Sequence, residues 1–151
     1  MKTSKVIPEE KLLMLGGDKN AKFGDITDPK YVGPGIWDLI HKISMDASDS
    51  SRETQFVKFM NNVCQNLSCK KCNLHCTEYI TKNPMDEYLG KLVKVKKGNK
   101  KPPGLFVWGW KFHNSVNSKL NKPIMTWDTA YNMYSGETSL SCSSQCLGED
   151  F

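Results

Sequence analysis

Cys69 and Cys72 are separated by two lysines and form a C-x-x-C motif, the most reactive pattern in the chain. At the start of a helix this spacing puts two sulfurs on one turn, close enough to form a disulfide. Ser68 could cap such a helix, whose N-terminus carries partial positive charge to which Lys70 and Lys71 add. Positive surroundings favour the thiolate, which is the nucleophilic form of cysteine. The motif therefore predicts thiol–disulfide exchange, with half of a zinc site as the alternative.

A zinc site needs four ligands, commonly as two close pairs, and Cys142 with Cys146 could supply the second pair. However, the pattern of residues 69–80 suits a packed helix better than a zinc knuckle. A zinc site would also leave the tryptophans and histidines elsewhere in the chain without a role. We therefore favour redox chemistry and keep a zinc-binding interaction module built on Cys69, Cys72, Cys142 and Cys146 as the alternative.

The composition fits one ordinary domain with tails, because 151 residues with 38% hydrophobic side chains are enough for a core. The net charge of +5 is mild, whereas a nucleic-acid binder usually has a denser basic face. No apolar run is long enough to cross a bilayer, and residues 1–8 lack the apolar stretch of a secretory signal. We expect neither nucleic-acid binding nor membrane insertion.

Five short helices are expected to position the reactive residues, with no convincing strand between them. The first begins at Gly33-Pro34, the second follows a turn at residues 48–51, and the third covers about residues 69–81. The fourth ends before Pro123, and Thr126 can cap the fifth. Their apolar residues recur at helical spacing, as in Ile36, Ile40, Ile43 and Ala47, in Phe56, Phe59, Met60, Val63 and Leu67, in Leu105, Gly109, Phe112, Val116 and Leu120, and in Trp127, Ala130, Tyr131 and Tyr134. The fold class predicted from this pattern is an all-α helical bundle.

Two further segments accompany the C-x-x-C motif. Residues 33–41 have the spacing G-P-x-x-W-x-x-x-H, and residues 113–123 have the spacing H-N-x-V-N-x-x-L-x-K-P. With the C-x-x-C between them, the chain resembles the Erv/ALR family of FAD-linked sulfhydryl oxidases over roughly residues 31–135. Within this family, the chain resembles most the short members that large cytoplasmic DNA viruses encode. The expected organisation is an N-terminal arm (1–30), this domain (31–135) and a flexible tail with a C-x-x-x-C (136–151). The lysine-rich segment 84–104 within the domain is expected to be a mobile loop, or at most a short hairpin around residues 92–95.

The resemblance implies a four-helix bundle with a short fifth helix and FAD bound at the mouth of the bundle. It also implies that Cys72 is the sulfur next to the flavin and that Cys69 is the exposed sulfur that exchanges with other dithiols. Electrons would pass from a protein dithiol to the C-x-x-C, then to FAD and on to molecular oxygen, giving hydrogen peroxide. Such an enzyme forms disulfides in protein substrates.

The residues that the resemblance implies for FAD binding come from the first, third and fourth helices and the segment that follows them. They are Gly33, Trp37, His41, His75, Tyr79, His113, Asn114, Val116, Asn117, Lys119, Leu120, Lys122 and Trp127. The two lysines would neutralise the phosphates, and the last tryptophan would stack near the adenine. Ordinary core packing is the alternative for the tryptophans and histidines.

The resemblance further implies a homodimer formed through the first helices, and location in the host cytoplasm or virion if the protein is viral. Otherwise the expected location is the mitochondrial intermembrane space. Cys142 and Cys146 could be the shuttle pair that passes disulfides from Cys69–Cys72 to substrates. Two incidental thiols are the alternative for this pair.

The chain departs from the family pattern at its remaining cysteines. Many cellular members have a structural disulfide whose second cysteine follows the K-P, but here Ile124, Met125 and Thr126 occupy that region. Cys64 and Cys76 have no family role, and we expect two buried thiols that behave as small apolar groups. A bond between them is the alternative.

Overall fold

Apolar residues at helical spacing fold the chain into helices throughout the part that can be described. The computed structural model describes residues 29–136, apart from the side chain of Tyr31. This range contains five α-helices, α1 (Pro29–Met45), α2 (Ser50–Asn66), α3 (Lys70–Lys82), α4 (Gly104–Lys119) and α5 (Trp127–Tyr134), and a 3₁₀ turn at Met85–Tyr88. The predicted all-α fold is confirmed. Within the described helices, none is both long and apolar enough to cross a membrane.

The start of α1 differs from the prediction. The helix begins at Pro29 rather than at Gly33-Pro34, so Pro34 lies inside it. Proline is well tolerated in the first turn, and Pro29 occupies the first helical position. Pro34 comes early enough that its missing N–H removes a hydrogen bond only near the helix start. Sequence spacing alone favoured the later proline because it precedes the regular apolar face.

Side-chain caps define the starts of α2, α3 and α5, whereas α4 starts after Pro103 without one. The Asp49 carboxylate accepts a hydrogen bond from the backbone N–H of Arg52 at 2.9 Å, which starts α2. Thr126 caps α5 as predicted, because its hydroxyl accepts a bond from the backbone N–H of Thr129. At α3 the predicted cap, Ser68, is wrong, since Cys69 takes that position.

The lysine-rich segment is closed by backbone pairing at its two ends. The backbone N–H of Val93 donates to the carbonyl of Pro102 at 2.8 Å, and that of Gly104 donates to the carbonyl of Lys91 at 2.8 Å. An isolated bridge joins Leu92 to Pro103. The segment is therefore closer to the predicted hairpin alternative than to an unpaired loop, although the pairing lies at its ends.

One main core lies between the four longer helices, and it is built from fully buried side chains of α1, α2 and α4, including Ile40, Phe56, Met60 and Trp108. Gly109 of α4 faces α1, and a Cβ added there would be in van der Waals contact with the Ile40 side chain at 3.4 Å. A smaller cluster of Met45, Phe106 and Ala130 holds α5 against this body; its members are all buried.

A disulfide joins α2 to α3 within this core. Cys64 and Cys76 are bonded, with Cα atoms 5.3 Å apart, so the expectation of two buried free thiols was wrong. Both residues are buried as expected, with 4% and 1% of their surface exposed. The short link between α2 and α3 turns the chain back on itself, which brings the last turn of α2 against the second turn of α3. That contact depends on the direction of two helices, which the apolar pattern does not reveal.

Candidate active site

The C-x-x-C motif forms the first turn of α3. Cys69 is the N-cap, and its sulfur accepts a hydrogen bond from the backbone N–H of Cys72 at 3.3 Å. Both cysteines are unbonded and half-buried. A cap normally uses a hydroxyl or carboxylate oxygen, so here a reactive sulfur does the work of a capping group.

The two sulfurs differ in acidity. The pKa of Cys69 is lowered, first by hydrogen bonds from the thiol and the backbone N–H of Cys72 and to a smaller extent by Lys71. The pKa of Cys72 is raised to about 11, because burial and the neighbouring Cys69 disfavour a second charge. The predicted preference for thiolate therefore holds for Cys69 only. In the reduced pair, Cys69 is therefore the thiol that loses its proton more readily.

A group of aromatic rings joins α1 to α4. Trp37 stacks on His113 with 4.1 Å between ring centroids and planes only 5° apart, and it meets Phe112 edge-on at 5.1 Å. His41 contacts His113 through their ring nitrogens, with Nε2 and Nδ1 2.8 Å apart. Tyr134 of α5 stacks on His41 at 4.7 Å. Three of the predicted residues, Trp37, His41 and His113, are thus brought together.

The ring group continues onto α3. Tyr79 stacks on Phe112 at 4.5 Å, and His75 meets the same ring edge-on at 6.2 Å. His75 is three residues after Cys72, which is less than one helical turn. Since Phe112 also touches Trp37, the start of α3 lies at the same end of the molecule as the rings of α1 and α4.

His41 and His113 of this group are neutral at pH 7. Burial lowers the pKa of His41 to about 4, and the neighbouring His113 adds to the effect. The pKa of His113 is lowered to about 4 by burial and by Lys122. In their contact one ring nitrogen donates and the other accepts. Nδ1 of His41 is buried and has no hydrogen-bond partner within the described residues.

A shallow pocket of about 210 Å³ opens between α3 and α4 beside these rings. Among its lining residues are three predicted ones, His75, Tyr79 and Lys119. Burial and the charge of Lys119 lower the pKa of His75. The charge of Lys122 likewise lowers the pKa of His113. One lysine therefore lies near His75 and the other near His113. This end of the molecule combines flat rings with positive charge.

The amide of Asn114 is engaged with the backbone rather than open to a ligand. It donates to the carbonyl of Met125 and accepts from the backbone N–H of Met125, both at 2.9 Å. The indole N–H of Trp110 donates to the same carbonyl at 2.8 Å. These bonds fix the connection between α4 and α5, and thereby the segment that carries Lys122.

The remaining predicted residues lie around this connection and at the surface. Trp127 packs edge-on against Phe106 and Trp110 in the smaller core cluster. Val116 packs on the main core, and the carbonyl of Asn117 accepts from the backbone N–H of Lys122. Leu120 is 57% exposed, and Gly33 has open space where a side chain would stand.

Two residues of the ring group were missing from the predicted site. Phe112 had been assigned to the core face of its helix, although it precedes His113 and lies one turn before Val116. Tyr134 falls on the apolar face of α5, but nothing in the sequence indicates that α5 folds back onto His41. The predicted shuttle pair, Cys142 and Cys146, lies outside the described residues.

The sequence profile of the Erv1/Alr family matches residues 34–135, about two thirds of the chain. The chain belongs to the Erv1/Alr family. The predicted resemblance is confirmed, and the match includes all four helix segments that carry the C-x-x-C and the ring group.

Viral and cellular proteins are similar to this Erv1/Alr chain. The FAD-linked sulfhydryl oxidase of African swine fever virus is 28% identical over 105 residues, covering 68% of this chain and 78% of its own length. A protein of Invertebrate iridescent virus 3 is 27% identical over 111 residues, covering 71% of this chain and 68% of its own length. The crystal structure of the yeast Erv1 core matches with a TM-score of 0.62 at 19% identity, covering 81% of this chain and 96% of the yeast core. The last comparison shows a shared fold.

Proposed function

We propose that this protein is an FAD-dependent sulfhydryl oxidase that forms disulfides in protein substrates. The proposal rests on one juxtaposition, a C-x-x-C with an acidic outer sulfur at the same end of the bundle as the Trp37, His41 and His113 rings. Membership of the Erv1/Alr family and the viral sulfhydryl oxidase relative support it. They favour a flavin enzyme over the zinc-binding alternative.

The residues at this end fit FAD. The unpartnered Nδ1 of buried His41 offers a polar contact, and stacked flat rings are what an isoalloxazine or adenine packs against. Lys119 and Lys122 supply positive charge suited to phosphates. Asn114 contributes indirectly, since it holds the α4–α5 connection. When bound, FAD supplies an acceptor for the electron pair of a dithiol, and we propose molecular oxygen as the final acceptor.

The two cysteines divide the thiol chemistry between them. A substrate thiolate attacks the Cys69 sulfur of the Cys69–Cys72 disulfide, and Cys72 departs and takes up a proton, as its raised pKa favours. The second substrate thiol then displaces Cys69, which leaves as the thiolate that the α3 cap stabilises. The substrate gains a disulfide, and the C-x-x-C holds two electrons. Cys72, three residues before His75 on α3, is the sulfur proposed to face the cofactor.

The tail pair, Cys142 and Cys146, is proposed as the shuttle between large substrates and Cys69. Its test compares two reductants. With both tail cysteines changed to alanine, turnover of a reduced protein should fall, while turnover of dithiothreitol should be unaffected. Equal turnover of the protein substrate with and without the tail cysteines excludes the shuttle role.

A homodimer formed through α1 is also proposed. Val32 and Leu39 lie two turns apart on α1 and are 38% and 50% exposed, which leaves apolar surface on this helix. We further propose that this protein is a viral sulfhydryl oxidase located in the host cytoplasm or the virion. The two viral relatives support this proposal.

The central test is the visible spectrum together with two matched variants. The purified protein should be yellow and contain FAD, and Cys72→Ala should abolish oxygen consumption with dithiothreitol while FAD stays bound. Thr77→Ala serves as the control, because it changes an exposed residue of the same helix outside the proposed electron route and leaves every cysteine in place. A colourless protein, or Cys72→Ala with full turnover, contradicts the oxidase.

A further inference from the structure

Two pairs of cysteines lie within residues 64–76. The disulfide Cys64–Cys76 spans a sequence separation of 12, and both redox cysteines lie inside the loop that it closes. Cys72 and Cys76 are four residues apart on α3, so their Cβ atoms are neighbours on one helix face, about 5–6 Å apart. Cys69 is thus the cap of α3, Cys72 and Cys76 lie on one face of that helix, and Cys64 on α2 is bonded to Cys76.

The two cysteine pairs differ in oxidation state. The inner pair, Cys64 and Cys76, is a disulfide, whereas the outer pair, Cys69 and Cys72, is two thiols. We propose that the Cys69–Cys72 disulfide oxidises Cys64 and Cys76 of its own chain, so that this protein installs its own structural disulfide. The inference rests on the proposed function, because the oxidase activity supplies the Cys69–Cys72 disulfide that the exchange consumes.

Two exchanges complete the transfer. In the first, the thiolate of Cys76 attacks the sulfur of Cys72; the Cys72–Cys76 bond forms, the Cys69–Cys72 bond breaks, and Cys69 leaves as a thiolate. In the second, the thiolate of Cys64 attacks the sulfur of Cys76; the Cys64–Cys76 bond forms and Cys72 leaves. The protons lost by Cys64 and Cys76 end on the outer pair or in solvent. One disulfide is reduced and one is formed.

The surroundings of the sulfurs favour this direction. A thiol of low pKa is the better leaving group, and Cys69 is stabilised as thiolate by the backbone N–H at the start of α3. The final bond joins α2 to α3 inside the packed core, whereas the outer pair remains half-buried and open to renewed oxidation. The native fold thus holds the product of the exchange.

Burial explains why the oxidant should come from within the chain. Cys64 and Cys76 are 4% and 1% exposed, so an external disulfide cannot reach them once α2 and α3 have packed. A Cys72–Cys76 bond needs Cβ atoms about 3.5–4.5 Å apart, so the exchange takes place before α2 and α3 have packed, when Cys72 is held four residues from Cys76 in the same chain. The same burial protects the finished bond from substrate thiols that reduce the outer pair.

The experiment follows the inner bond in the flavin-loaded protein. Fully reduced wild type, freed of reductant and exposed to air, is alkylated at intervals, and mass spectrometry locates the disulfides. Wild type should gain Cys64–Cys76 at a rate that does not change with protein concentration. The Cys69→Ser/Cys72→Ser double variant should keep both inner thiols, while Cys142→Ser/Cys146→Ser should behave as wild type.

Flavin content and far-ultraviolet circular dichroism establish that the variants fold. The concentration dependence is measured on wild type, so it tests the inference even where a variant does not fold. The inference is overturned if the inner bond forms in the Cys69→Ser/Cys72→Ser variant at the wild-type rate. It is also overturned if the bond forms there after wild type is added, or if the wild-type rate rises with concentration. Dithiothreitol turnover by wild type reports on the oxidase alone, so its loss identifies failure of the proposed function instead.

Discussion

Removing the Cys64–Cys76 disulfide should destabilise the fold by about 3 kcal/mol through chain entropy alone. A cross-link restricts the unfolded chain according to the length of the loop that it closes, and the sequence separation here is 12. A loop of this length corresponds to about 3 kcal/mol at 25 °C. Because both cysteines are buried, truncation to alanine should add up to about 1 kcal/mol for each lost sulfur.

The measurement is urea unfolding of the oxidised protein, followed by helical circular dichroism. Cys64→Ala and Cys76→Ala should each lower the free energy of unfolding by about 3–4 kcal/mol, since either change removes the whole cross-link. The double variant should lose only about 1 kcal/mol more than either single variant. Thr77→Ala is the control and should cost less, because it changes an exposed residue of the same helix as Cys76 and leaves every cysteine in place.

Additivity decides whether the reasoning is right. If the two single losses add in the double variant, to about 6–8 kcal/mol, each cysteine stabilises the fold independently and no cross-link joins them. A urea unfolding midpoint equal to that of wild type in either single variant would also refute the entropy argument.

Three further outcomes follow from the ring group and its supports. The free energy of unfolding should be highest above pH 6.5 and fall as the pH drops toward 4, because His41 and His113 have pKa values of about 4 in the folded protein and about 6.5 in the unfolded chain. Buried His41 should account for a loss on the order of 3 kcal/mol. Urea unfolding midpoints across this pH range test this, and the midpoint of His41→Gln should depend less on pH. Asn114→Ala should lower stability by about 2 kcal/mol in urea unfolding, because it removes two hydrogen bonds to Met125; an unchanged midpoint contradicts this. Trp37→Leu should weaken FAD binding about tenfold in fluorescence titrations of the flavin-stripped protein through the loss of ring stacking, and equal affinity would remove Trp37 from the site.

Helical periodicity predicted the elements well, because an apolar face must be buried whatever it packs against. The end of α4 before Pro123 and the Thr126 cap of α5 are local signals, and both are found in the structure. The start of α1 was missed because two prolines compete for the same role. The cap of α3 was missed because a cysteine seldom replaces serine there.

The composition of the site was easier to predict than its contacts. Motif spacing brought out Trp37, His41 and His113, which do meet. The bonding of Asn114 to Met125 depends on how the α4–α5 connection folds back, and the Cys64–Cys76 bond depends on the direction of α3. Such tertiary contacts leave no trace in spacing, so a polar residue next to a ligand and one that holds a loop have the same sequence pattern.

The first turns of α3 combine a helix cap, a nucleophile and a cross-link. The cap bond from the Cys72 backbone N–H is strongest when Cys69 is a thiolate, so the reduced pair and the helix start stabilise each other. A disulfide at Cys69 carries no charge, and oxidation therefore weakens the cap. The Cys64–Cys76 bond holds the next turn against α2, which confines this loosening to the residues before Cys76. The redox pair can thus change its state at the end of a helix whose remaining turns stay fixed beside the rings of α4.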